Sequence, residues 1–155
     1  MFTKRFTAIL VGLLLTGCGA GQSAQTSVAY MPVDGVQGAS ADVKVRNVVL
    51  VNINGTLVLV GTAVTSGESS DRITGVLING APMSISPAAP VLENGTPVTF
   101  GGQSATANGV LTAATLRPGQ HAKVTFTFES AGDIEVTALV RQNDEEFASV
   151  SVPSV

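Results

Sequence analysis

Beyond Ala41 the chain alternates apolar and polar residues with a period of two, and Asn-Gly pairs cut the alternation into short runs. This pattern limits the fold most, because a period of two puts one face of each run in a core and the other in water. Asp42-Val43-Lys44-Val45-Arg46-Asn47-Val48 alternates, and Val48 to Val51 is apolar throughout, as in a strand buried on both faces. Asn54-Gly55 separates this strand from the run Thr56 to Val64. Such a pair between two apolar runs predicts a hairpin, since a type I′ turn needs positive φ at both central residues. Asn79-Gly80, Asn94-Gly95 and Asn108-Gly109 repeat the device. Turn chemistry also accounts for Asn54-Gly55-Thr56 and Asn94-Gly95-Thr96, which match a glycosylation acceptor pattern.

Further strands are expected at Arg72–Ile78, Val98–Phe100, Val110–Ala113, Lys123–Phe128, Ile134–Val140 and Ala148–Val152. No segment carries a 3.6-residue apolar stripe, and the 17 glycines and 7 prolines are scattered as punctuation. About eight strands of this kind close as an all-β, antiparallel β-sandwich, in which each sheet hides one apolar face. With 45% apolar and only 12% charged residues, the chain can fill such a core.

The N-terminus has a different character. Lys4 and Arg5 precede an apolar run from Phe6 to Leu15, and small residues lead into Cys18, the one cysteine of the chain. That order reads as a secretory signal, and the run is too short for a spanning helix, which needs about 20 residues. The ending Leu15-Thr16-Gly17-Cys18 resembles the lipobox of bacterial lipoproteins. The resemblance implies that Cys18 takes a diacylglyceryl group, becomes the new N-terminus, and anchors the chain on the extracytoplasmic face of the cell membrane. Two acyl chains hold on the order of 30 methylenes at about 0.8 kcal/mol each, so the anchor is stable without a membrane helix.

Three regions follow: a signal peptide over 1–17, a tether over 18–40 and a sandwich domain over 41–155. The tether is rich in Gly, Ala, Ser, Gln and Thr and reaches about 25 Å if flexible. Removing residues 1–17 leaves 138 of the 155 residues, the length of one domain. Of 8 basic residues Lys4 and Arg5 leave with the signal, so 6 remain against 11 acidic, a net charge of −5. That balance argues against a nucleic-acid partner. With its cysteine lipidated, the domain has no disulfide to lean on.

Catalytic chemistry is sparse. Nucleophilic catalysis by a His-activated Ser needs a histidine, and the only one, His121, opens a strand after the turn Arg117-Pro118-Gly119. Asp144-Glu145-Glu146 is the one acidic run and reads as a solvated hairpin turn, without the alternate spacing a calcium loop requires. Asp133 and Glu135 flank Ile134 and point outward; Phe126 and Phe128 share a core face. Six Phe, one Tyr and no Trp build no aromatic platform for sugars or single-stranded nucleic acid. The chain reads as a non-enzyme.

Asp71-Arg72-Ile73-Thr74-Gly75-Val76, then Leu116-Arg117-Pro118-Gly119, then Val124 to Val136 with Ser130-Ala131-Gly132, resemble the periplasmic copper chaperone family PCuAC. The shared patterns are a D-x-L-x-G strand and a closing V-x-L-T-F-x-x-A-G-x-V-x-V segment, spanning roughly residues 41–141 in the same order. The resemblance implies a cupredoxin-like, immunoglobulin-like sandwich. In that family two His and two Met hold copper, a soft-donor set suited to Cu(I). Here the first such region reads Leu77-Ile78-Asn79-Gly80-Ala81-Pro82-Met83-Ser84, and the later one Gln103-Ser104-Ala105-Thr106-Ala107-Asn108-Gly109. Neither holds a His, and only Met83 lies near a ligand position. Two functions are expected from this: a lipid-anchored binding module for a protein partner at the cell surface, without cofactor, or a copper chaperone with a divergent site of Met83, His121 and Met31.

Overall fold

The structure, a computed structural model, describes residues 35–144 and 146–153, within the unit Val33–Val155. The signal segment, Cys18, Met31 and the tether up to residue 34 lie outside the described residues, as does Glu145. All regular structure described is strand. The long strands are β2 (Val43–Ile53), β3 (Thr56–Thr65), β4 (Asp71–Ile78), β10 (His121–Phe128) and β11 (Asp133–Gln142). Shorter ones are β1 (Val36–Ser40), β5 (Ala81–Pro82), β6 (Ser84–Ser86), β7 (Val91–Leu92), β8 (Val98–Phe100) and β9 (Asn108–Leu111). The all-β, cupredoxin-like sandwich is as expected. The surplus over about eight strands consists of pieces such as β5 and β7, too short to show a period.

One hydrogen-bonded path runs β5-β4-β10-β11-β2-β3-β9-β6, with β1 beside β2, β7 beside β4 and β8 beside β3. All pairings between strands are antiparallel except β11 with β2, where Val140, Arg141 and Gln142 run parallel to Leu50, Val51 and Asn52. This seam joins the two halves of the sandwich, and their inner faces share one core. Val45, Leu50, Leu57 and Leu59 enter it from one side, and Ile73, Val76, Val124 and Phe126 from the other. Phe126 links the aromatic residues, with ring centroids 6.3 Å from Phe100 and 6.4 Å from Phe128.

Three expectations need correction. Residues 36–40, assigned above to the tether, form β1, which pairs with β2 from Val36↔Val48 to Ser40↔Val43. The glycine in it is a packing requirement: a Cβ on Gly38 would come within 2.6 Å of Ile134 and 2.8 Å of Val136. Second, Ala148–Val152 is not a strand. The chain makes successive turns there, with Phe147 N–H bonded to Asp144 and Val150 N–H to Phe147, each at 2.9 Å. Asp144 and Glu146 therefore sit in a turn that no strand follows among the described residues. Phe147 and Val150 cover Val49, Val51 and Val58 in a second, smaller core. That cover explains the uninterrupted apolar run, since Val48 and Leu50 face the main core and Val49 and Val51 this one.

Third, only two of the four Asn-Gly pairs are type I′ hairpin turns. Asn54 and Gly55 have φ of 51° and 85°, and Asn79 and Gly80 have 49° and 85°. Asn94-Gly95 turns between Glu93 and Thr96 with positive φ at Gly95 alone. Asn108-Gly109 lies inside β9. Its glycine answers a need for space, because an added Cβ would sit 2.9 Å from Met83 Sδ and 3.1 Å from Leu59 Cβ.

Candidate functional site

β5 pairs with β4 through Leu77↔Pro82, and one residue later β6 pairs with β9 through Ser84↔Val110, Ile85↔Gly109 and Ser86↔Asn108. The chain thus crosses from one half of the sandwich to the other at Met83. The crossing brings the ends of the two stretches singled out by the resemblance, Leu77–Ser84 and Gln103–Gly109, near each other, since Ser84 opens β6, Asn108 opens β9, and these two strands pair. The later stretch is held down: the N–H groups of Thr106 and Ala107 both donate to Thr99 O, at 2.8 and 3.0 Å. Thr99 N–H in turn donates to Thr106 Oγ1 at 2.9 Å.

Met83 is pinned at this crossing. Its N–H donates to Val76 O at 2.9 Å, and its side chain, 6% exposed, belongs to the main core. The polar residues of the paired strands β6 and β9 that follow are Ser84, exposed, and Ser86 and Asn108, half-buried. His121 is elsewhere. It is the first residue of β10, opposite Leu139, and is exposed on the outer face with Lys123. Ala122 and Val124, between and beyond them, point the other way into the core that holds Met83. The structure therefore separates Met83 and His121 onto opposite faces of a strand, and Met31 lies outside the described residues. Among the described residues no group of three or more His, Cys, Asp or Glu is placed to hold a metal ion. The side chains at the crossing, one thioether buried in the core and the hydroxyls and carboxamide of β6 and β9, do not fit a Cu(I) ligand set.

The motif residues of the sequence resemblance meet at a different place. Asp71, buried at the start of β4, points its carboxylate at the turn between β10 and β11. Oδ1 accepts from Arg72 N–H at 2.7 Å and Ser130 N–H at 3.0 Å, and Oδ2 accepts from Ala131 N–H at 2.9 Å. Ser40 Oγ donates to Ala131 O at 2.6 Å, tying the end of β1 to the same turn. Burial pushes the carboxyl pKa up, but the amides of Arg72, Ser130, Ala131 and Glu129 outweigh it and hold the pKa below the ordinary value. Asp71 lines a polar cleft with Asp42, Thr65 and Glu68. A perturbed carboxyl in a cleft is where an acid or base is first sought. Here both oxygens are occupied by backbone donors, so Asp71 is a clasp. Sequence reasoning took these stretches as structural without seeing the bond; the available signal was an acid opening an apolar strand in a chain with few acids.

The other charged side chains among the described residues are exposed, Arg141 apart, which is half-buried. Asp133 and Glu135 face outward, with Glu135 3.1 Å from Lys123. Arg72 lies 3.6 Å from Glu129. Arg141 pairs with Glu146 at 3.4 Å and lies over the Phe147 ring, 5.3 Å from its centroid.

The strands define an all-β sandwich, a fold shared with PCuAC domains. Among solved structures, the chain is similar to the copper-bound PCuAC domain from PmoF2, with a TM-score of 0.59 and 22% identity over 69% of this chain and 98% of that one. The apo PCuAC domain from PmoF1 gives a TM-score of 0.59 and 17% identity over 69% and 99%. The apo PmoF2 PCuAC domain gives 0.57 and 22% over 71% and 98%. At these identities the likeness is one of fold. No protein-family model matches the chain, and no curated protein matches it.

Proposed function

We propose that this protein is an extracytoplasmic lipoprotein, anchored in the cell membrane through Cys18, whose PCuAC-like sandwich acts as a non-catalytic binding module for a protein partner at the cell surface. The observation that carries this reading is the separation of the soft donors. Met83 is spent in the core at the β5–β6 crossing, and His121 stands on the outer face of β10. The lipobox-like ending at Cys18 supports the anchor. The Asp71 clasp supports the non-catalytic part, because the one buried carboxylate among the described residues is committed to backbone amides.

Copper handling is the second reading, favoured by the fold shared with a copper-bound domain. Copper would then be cargo, and Met83, His121 and Met31 its candidate donors. A Cu(I) titration of the lipid-free chain against a competing chelator separates the two, with Met83→Ala and His121→Ala alongside. The binding-module reading expects no stoichiometric uptake. Tight one-to-one binding weakened by either substitution would replace it with copper handling. Membrane fractionation of the parent and Cys18→Ser tests the anchor, which expects release of the variant from the membrane.

A further inference from the structure

The four Asn-Gly pairs share a reactive sequence but not a reactive geometry. In such a pair the glycine nitrogen loses its proton and attacks the asparagine Cγ, and the carboxamide nitrogen departs as ammonia. Water then opens the resulting succinimide at either carbonyl, giving aspartate or isoaspartate. Two freedoms are needed. The carboxamide must swing to within about 3–3.5 Å of the following nitrogen in the right orientation. The glycine N–H must also be free of an acceptor that fixes it.

Three pairs lack one freedom or the other. At Asn54-Gly55 the nucleophile is tied, since Gly55 N–H donates to Asn52 Oδ1 at 3.0 Å, and Gly55 O accepts from Ala114 N–H at 3.0 Å. At Asn79-Gly80 the electrophile is tied: Asn79 Oδ1 accepts from Lys123 N–H at 2.9 Å, and Asn79 N–H donates to Lys123 O at 2.9 Å. Asn108-Gly109 is fixed within β9, paired with Ser86 and Ile85, with Met83 and Leu59 packed on the glycine. Asn94-Gly95 has neither restraint. Both residues are exposed, the turn is closed at its base by the antiparallel bridge between Glu93 and Thr96, with Thr96 N–H on Glu93 O at 3.0 Å, and no hydrogen bond among the described residues holds the Asn94 carboxamide or the Gly95 N–H. Negative φ at Asn94 and φ of 78° at Gly95 correspond to the central positions of a type II turn, outside the doubly left-handed geometry that locks the two hairpins.

We propose that Asn94-Gly95 is a site of spontaneous deamidation and isoaspartate formation, and that the fold protects the other three pairs. The product adds a carboxylate beside Glu93 on the exposed turn between β7 and β8. In its isoaspartyl form it also lengthens the backbone of that turn by one carbon. Leu92, fully buried next door, holds β7 in place, so the change alters the surface and leaves the core intact.

The test is peptide mapping of the folded chain during incubation at mildly alkaline pH, using fragment ions that distinguish isoaspartate from aspartate. Conversion at Asn94 is expected to run about tenfold or more ahead of Asn54, Asn79 and Asn108, since each of those must first break restraining contacts. Asn54 and Asn94 are both followed by Gly-Thr, so near-neighbour sequence does not separate them. In strong denaturant the four rates should converge. Asn52→Ala should raise the rate at Asn54 and leave Asn94 unchanged. Equal rates at the four sites in the folded chain would overturn the proposal. A lead for Asn94 that persists undiminished in denaturant would also overturn it, because the cause would then be sequence and not fold.

Discussion

Replacing Asp71 isolates the contribution of one carboxylate to the whole sandwich. Asp71→Ala removes the acceptor for Ser130 N–H and Ala131 N–H, at 3.0 and 2.9 Å, and for the local Arg72 N–H at 2.7 Å. A buried donor left without a partner costs about 1–3 kcal/mol. The two turn amides are only partly buried and water can reach them, which puts each near the low end. Adding the charge-assisted character of the bonds gives a loss of about 2–3 kcal/mol for Asp71→Ala. Asp71→Asn keeps one acceptor oxygen and should lose about half as much. In a domain of this size each kcal/mol moves Tm by about 3–5 °C, so the Ala variant should melt about 6–15 °C lower. Urea unfolding should show the same loss as a lower midpoint with an unchanged slope. The pH dependence has a definite sign. The folded pKa lies below the unfolded one, so the stabilisation is fully present above the ordinary aspartate range and fades as pH falls through the folded value. The parent should therefore lose its advantage over Asp71→Asn as the solution is acidified below that range. Variants within about 0.5 kcal/mol of the parent, the scatter of ordinary surface substitutions, would refute the clasp. So would a gap that does not change with pH.

Two other substitutions probe packing. Phe147→Ala uncovers Val49, Val51 and Val58 and removes the ring under Arg141; it should destabilise by about 3 kcal/mol in urea unfolding, with the slope m falling only slightly because a short segment detaches in the native state. Gly109→Ala drives a methyl to 2.9 Å from Met83 Sδ and should destabilise by about 1–3 kcal/mol. A second change, Met83→Val, should recover part of that loss, and a double-mutant cycle should show coupling of at least about 0.5 kcal/mol.

The sequence yielded its long strands readily, because a period of two survives over eight or more residues. β4 and β10 lie within two residues of where alternation puts their ends. The outward positions of Asp133, Glu135 and His121, and the inward ones of Phe126 and Phe128, follow from the same period. What escaped has a common cause in tertiary contact. β1 is held by its pairing with β2 and by the close fit of Gly38 against Ile134 and Val136, and nothing within the five residues VQGAS signals a strand. The C-terminal turns exist because β2 has a second apolar face to hide, so Phe147 and Val150 read locally as strand residues and act as a cover. Asn108-Gly109 carries a turn signature but serves a thioether 26 residues away in sequence, at Met83. The clasp was visible only as a letter pattern, since its bonds connect positions 59 and 60 residues apart.

The devices that hold the sandwich are distinct from the positions where the resemblance places metal donors. The clasp joins β4 to the β10–β11 turn, and the parallel seam joins β11 to β2. The β5–β6 crossing is secured by the Met83 N–H bond to Val76 and by close packing on Gly109. None of these requires a histidine, and the side chains beside the crossing, Ser84, Ser86 and Asn108, are polar and wholly or partly accessible. Donors at that rim can therefore be exchanged for hydroxyls and amides with small effect on stability, because they contribute neither core volume nor a buried hydrogen bond. Met83 is the exception, because it is buried: truncating it should cost about 2–5 kcal/mol as a core residue, whereas His121→Ala should stay within about 0.5 kcal/mol. The binding-module reading expects these two substitutions to act independently. A shared copper site would instead make both substitutions weaken metal binding together, whatever each did to stability.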